Sequence, residues 1–358
     1  EDGIRAQAPG AVARLLVEGD RPSGAVDQSV RALLAVLDDR KVPVAVRLGM
    51  VEALGHLAEP GFKHGVQVGE TLEHLAQSAK NRVERNFALL ALGRFSSRGE
   101  GAVANRAFQH LMKTVENGKS ATKPWAALAL GLLGREFSRA HGAIDVMAEE
   151  ALRKGMLATR DAESQAAFAL ALGLCGPNSV ETVPDIVKVT GKTRNPVLRG
   201  AGSLALGLIG SRDSQSTIAE WLEKSLKEPE ALGDVAVGLA LAGGDARTAL
   251  FSLLEPEKGR KPNRPVQEAI LGALARIGHP ATCARLLERA GNEKAAWPLR
   301  AAALDALGAS SDPRGEDWSA SWSSWFNYTG AGWPETLMDY EVRIRGEKAG
   351  IDPRPKNR

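Results

Sequence analysis

Five basic residues recur at one register of this 358-residue chain: Arg47, Arg85, Lys123, Arg199 and Arg300. Each stands seven residues before the leucine of an Ala-Leu step. A row of cations at a fixed period can meet a row of phosphates or of acidic side chains. A second set is aromatic. Trp318, Trp322, Trp325 and Trp333 crowd with Phe326 and Tyr328 into sixteen residues. The first three have i, i+4, i+7 spacing, which puts them on one helix face. Tryptophan and tyrosine are enriched at interface hot spots. The five cations and the four tryptophans are therefore the candidate partner-binding residues.

Catalytic patterns are missing. Gly191-Lys192-Thr193 has the end of a phosphate-binding loop, but the glycine required five residues earlier is Ile186. The six histidines, His56, His64, His74, His110, His141 and His279, form no i, i+4 pair and no HExxH motif. No G-x-S-x-G elbow occurs. Cys175 and Cys283 read as two separate buried thiols. The expectation is a chain with no catalytic residue, no metal and no cofactor.

The elements that must position the two candidate sets follow from the Ala-Leu step itself. It recurs at Leu54, Leu92, Leu130, Leu172, Leu206, Leu241, Leu274 and Leu307, at intervals of 38, 38, 42, 34, 35, 33 and 33 residues. The residue after the leucine is always Gly or Ala: Gly55, Gly93, Gly131, Gly173, Gly207, Ala242, Ala275 and Gly308. Glycine inside a helix costs about 1 kcal/mol relative to alanine, so a close neighbour should compensate. Upstream of each such helix lies a second helical pattern, for example Val103 to Val115 or Ala246 to Leu254. One unit is helix, turn, helix, and it cannot bury its apolar face alone, so units stack. The sixth copy, Val235 to Gly244, aligns ambiguously by a few residues.

The full register seven residues before the leucine reads Arg47, Arg85, Lys123, Gln165, Arg199, Asp234, Gln267 and Arg300. Val46-Arg47-x-x-x-Val51-x-Ala53-Leu54-Gly55 resembles HEAT repeats, in particular the short kind also found in phycobilin lyases. Leu299 to Gly308 has the same pattern. The resemblance covers residues 26–310. It implies an all-α, right-handed α-solenoid of about eight helix pairs, related to armadillo-like arrays. It further implies that the second helix of each pair lines a concave face, and that the ladder position often pairs with acidic groups between repeats. A HEAT-like hydroxylase family holds iron through His-Glu dipeptides, and this chain has none.

The expected organisation is an N-terminal extension over 1–25, the array over 26–310, a Trp-rich cap over 311–340 and a basic tail over 341–358. The aromatic stripe is expected to fold back on the last repeat, since a solenoid end exposes an apolar face. The tail carries a net charge of +3, equal to that of the whole chain, so residues 1–340 are neutral overall. That balance argues against a large phosphate footprint. The start, Glu1-Asp2-Gly3, lacks an initiator methionine and is compatible with removal of an export signal. No apolar run reaches the length of a transmembrane helix. The expected function is a non-enzymatic scaffold that grips a protein partner on the concave face and through the Trp-rich segment. Nucleic-acid binding through the Arg/Lys ladder and a lyase activity of the phycobilin-lyase kind are the alternatives.

Overall fold

The computed structural model describes residues 5, 8–13, 16, 23–39, 41–141, 146–176, 180–255, 262–277 and 282–311. Among them every long element is an α-helix. In chain order these are α1 (Ser23–Leu37), α2 (Val44–Leu57), α3 (Gly65–Ser78), α4 (Arg82–Ser96), α5 (Ala102–Asn117), α6 (Lys123–His141), α7 (Val146–Ala158) and α8 (Ala162–Cys175). They continue as α9 (Thr182–Gly191), α10 (Pro196–Ile209), α11 (Gln215–Lys224), α12 (Pro229–Leu241), α13 (Ala246–Leu254), α14 (Arg264–Ile277), α15 (Cys283–Gly291) and α16 (Trp297–Ser311).

The even-numbered helices carry the Ala-Leu steps. In one compact unit, ending at Arg160 apart from a short piece that begins at Leu174, α2 packs on α4 and α4 on α6, with α1, α3 and α5 as their partners. In the other, α10, α12, α14 and α16 pack in series, with α9, α11, α13 and α15 beside them.

The two helix classes differ in sequence for a physical reason. An odd helix such as α5 has one apolar stripe, and its buried residues Ala104, Ala107, Leu111 and Val115 follow the helical period. An even helix such as α2 is buried on nearly every side from Val46 onward. A helix apolar all round belongs inside, and small residues let others come close. Local signals fix the starts. The Asn81 side chain accepts from the Val83 amide at 2.8 Å, and that of Asn195 from the Leu198 amide at 3.1 Å with Pro196 next. Gly210 ends α10 at φ 76°, a left-handed conformation that favours glycine.

The glycine after the anchor leucine is where neighbouring even helices nearly touch. A Cβ on Gly55 would stand 2.8 Å from the Ala91 Cα, and one on Gly93 2.5 Å from the Ala129 carbonyl oxygen. On Gly173 it would meet the Ala205 Cα at 2.6 Å. Ala91, Ala129 and Ala205, the alanines of three Ala-Leu steps, are thus what the preceding glycines rest on. This contact also settles the sixth copy. A Cβ on Gly207 would meet the Gly238 Cα at 2.9 Å, so Gly238 takes the alanine role and Leu239 is the anchor. The register shifts by two residues from Leu241, and Asp234 leaves the ladder position, which Leu232 occupies.

Cys175 is buried, with its thiol against the Leu130 carbonyl at 3.7 Å. Cys283 is only half-buried, at the first turn of α15, which corrects the expectation of two buried thiols. No described helix is long and apolar enough to cross a membrane.

Candidate interaction surface

The basic ladder lies where the turn joins the two helices of a pair. Arg47 donates to the Leu37 carbonyl at 2.6 Å, Arg85 to Ala79 at 2.6 Å, Lys123 to Glu116 at 2.7 Å and Arg300 to Ala290 at 2.9 Å. All four acceptors are at the C-terminal end of the preceding odd helix, whose last carbonyls lack intrahelical donors. A cation there also complements the negative end of the helix dipole. Gln267 differs: it donates to the Pro262 carbonyl at 2.7 Å, in the turn just before its own helix. Arg47 additionally pairs with Glu84 of the next repeat at 2.6 Å, and Arg199 with Ser225 and Glu228. The ladder side chains are therefore spent on joining the helices of one pair and neighbouring pairs.

The contacts around an even helix show which side faces where. Four residues before the anchor is the side toward the odd partner: a Cβ on Gly202 would meet Thr190 Cγ2 of α9 at 2.7 Å. One residue after it faces the next even helix, and one before it faces the previous one. At roughly 100° per residue, positions five and two before the anchor and two after it point away from the odd layer. This inner side carries Glu52 and His56 on α2, and Phe87, Leu90 and Arg94 on α4. On α6 it carries Trp125, Leu128 and Leu132, with Arg135 one turn further on.

Its chemistry is uneven along the chain. In the first unit it combines two aromatic rings, leucines and ionisable groups. Burial, then the charges of Arg94 and Arg98, hold the His56 pKa well below its ordinary value. His56 is therefore neutral at pH 7. In the second unit the same side offers Ala201, Leu204 and Leu208 on α10, Gly272 on α14 and Asp305 on α16, with no aromatic ring.

Of the residues singled out in the sequence, the ladder set is placed at helix ends. Trp318, Trp322, Trp325 and Trp333 lie outside the described residues. On α16, Leu304 and Trp297 expose 46% and 66% of their surface. Five residues of the inner side, Glu52, His56, Phe87, Arg94 and Trp125, were not singled out. Reading the same repeat alignment at the inner positions finds them. Elsewhere, a cleft of about 460 Å³ between α13 and α15 is lined by Arg247, Phe251, Glu255 and Arg285. There Arg285 lies 3.7 Å over the Phe251 ring and 2.7 Å from Glu255, so its charge is met within the fold. Among the described residues no group of three His, Cys, Asp or Glu is placed to hold a metal ion.

No protein-family profile matches the chain, and no curated protein matches it. Among solved structures it is similar to an engineered protein solved by the Northeast Structural Genomics Consortium. That similarity has 19% identity, covers 98% of this chain and 95% of the other, and has a TM-score of 0.36.

Proposed function

We propose that the chain is a non-enzymatic, HEAT-like scaffold, and that its binding face is the inner side of α2, α4 and α6. The observation that carries this is the composition of that side. Phe87 and Trp125 stand at equivalent positions of successive repeats, with Leu90 and Leu128 one turn on and Arg94, Arg98 and Arg135 beyond. Aromatic and arginine side chains are the residues that dominate binding energy in protein interfaces. The ladder, held at helix ends, serves the array and not the partner. A partner that fits this face presents apolar or aromatic groups together with carboxylates.

The test is affinity capture from a native extract, with the parent chain and an Arg94→Ala/Arg98→Ala variant compared by quantitative mass spectrometry. A partner retained by the parent and by Arg300→Ala, but lost from the double variant, supports the face. Equal capture by all three refutes it.

A further inference from the structure

We propose that a second copy of this chain binds the forward side of the last helix pair, with α16 of one copy antiparallel to α16 of the other across a two-fold axis. The pairing uses none of the residues of the inner side, so it stands apart from the function just given.

The first argument is continuity with the joint that recurs inside the chain. In α10, three residues meet the next even helix, α12. A Cβ on Gly200 would stand 3.0 Å from the Asp234 Cβ, one on Gly207 2.9 Å from the Gly238 Cα, and one on Gly238 would strike the Ser203 carbonyl. The same positions in α16 are Ala301, Leu304 and Gly308, with Trp297 one turn before them. Where α16 has Leu304, the earlier even helices carry Val51, Leu89, Ala127, Ala169, Ser203, Ala236 and Leu271, and none of these exposes more than 1%. Leu304 is exposed, and so is Trp297, although the Arg300 guanidinium stands 5.9 Å from the centre of its ring. The odd layer agrees. Phe251 of α13 is buried beneath Arg285 of α15, whereas Leu287, its counterpart in α15, exposes 60%. Large apolar side chains gathered on one face mark an interaction surface.

The second argument says what fits there. Trp297, Ala301, Leu304 and Gly308 form one stripe with steps of four, three and four residues. The steps read the same in both directions, but the sizes do not: large, small, large, none. Laid antiparallel on itself, the stripe sets every large residue against a small one. With the axis between Ala302 and Ala303, Trp297 meets Gly308 of the second copy, both about 8 Å from the axis. Ala301 meets Leu304 of the second copy in the same way. An isologous contact demands this reciprocity. The same axis brings α15 beside its copy, with Leu287 on the shared side. A head-to-tail copy has no such match, because it would have to offer Ala53 of α2, which is fully buried.

The experiment has two parts. Sedimentation velocity of the full chain should show a mass that rises with concentration toward twice that of one chain. Leu304→Asp changes an exposed side chain, so it should stay monomeric with the helical circular-dichroism signal of the parent. In the second part Trp297 is replaced by the photo-cross-linking residue p-benzoylphenylalanine, in a mixture of unlabelled and isotope-labelled chains. Links between unlabelled and labelled copies, from position 297 to the peptide that contains Gly308, are expected. This part keeps Leu304, so it decides the matter even where Leu304→Asp loses helix. A monomer at every concentration, a well-folded Leu304→Asp protein that still pairs, or links confined to one copy or to other peptides each overturn the proposal.

Discussion

The closest helix contacts are made by glycine, and they permit a paired test. Gly93 and Gly308 occupy the same register, one residue after an anchor leucine. Alanine is the better helix former by about 1 kcal/mol, so propensity alone favours both Gly93→Ala and Gly308→Ala. Packing separates them. On Gly93 the new methyl would stand 2.5 Å from the Ala129 carbonyl oxygen and 2.9 Å from its Cα. Those are backbone atoms of α6, and no rotamer change relieves them. An ordinary contact needs roughly 1 Å more, so α4 and α6 must part along their whole interface. Overpacking of this kind costs about 1–3 kcal/mol, and separating the helices also loosens the Leu92 and Leu130 contacts. Gly93→Ala should therefore be destabilised by about 1–2 kcal/mol net of propensity. On Gly308 the methyl would meet nothing within 4 Å. Gly308→Ala should be stabilised by up to about 1 kcal/mol. Urea denaturation followed by circular dichroism gives both values. Because a repeat array can unfold in parts, hydrogen exchange in α4–α6 and in α16 should accompany it. A Gly93→Ala protein as stable as its parent would refute the close-contact account of the repeat.

Other perturbations follow from the same contacts. Leu172 is fully buried, so Leu172→Ala should lose about 2–5 kcal/mol in the same denaturation assay. Arg47→Ala removes a helix cap and strands Glu84, whose side chain is 7% exposed. It should cost about 3 kcal/mol, against about 1 kcal/mol for Arg300→Ala, read as two different melting temperatures. His56 makes stability fall with acid. Its folded pKa is depressed, so the unfolded chain takes up the proton first as the pH drops below about 6.5. From there each pH unit should cost the parent about 1.4 kcal/mol more than His56→Leu until the folded histidine protonates. Parallel pH profiles for the two proteins would remove His56 from the account.

The helix pairs were legible in the sequence because the Ala-Leu step and the glycine after it report directly on packing. Glycine at Gly55, Gly93 and Gly173 announced a close neighbour, and the neighbour is there. The ladder was legible as a register but not as a role. Nothing in the spacing of Arg85 says that its guanidinium turns toward the Ala79 carbonyl and not outward. The sixth copy misled because Ala240-Leu241 repeats the letters of the step two residues late. Only the Gly207–Gly238 approach fixes the register. The inner side was hidden for a different reason. Its residues keep no one letter along the array: the position that is Leu90 in α4 and Leu128 in α6 is Glu52 in α2, Gly272 in α14 and Asp305 in α16. A search for what recurs passes over a surface whose use depends on not recurring.

The contact between Gly93 and Ala129 has two unlike halves. An even helix typically offers a glycine notch forward and an alanine backward, with Gly238 and Ala275 as variants, so the interface is heterologous and has a direction. Such an interface does not end itself. At Gly308 the forward notch meets no atom within 4 Å, so no described helix fills it. Grafting a further helix pair after Ser311, with an alanine set to face Gly308, should therefore lengthen the array without redesigning the pairs before it. Array length in this architecture is not set by any feature of the joint.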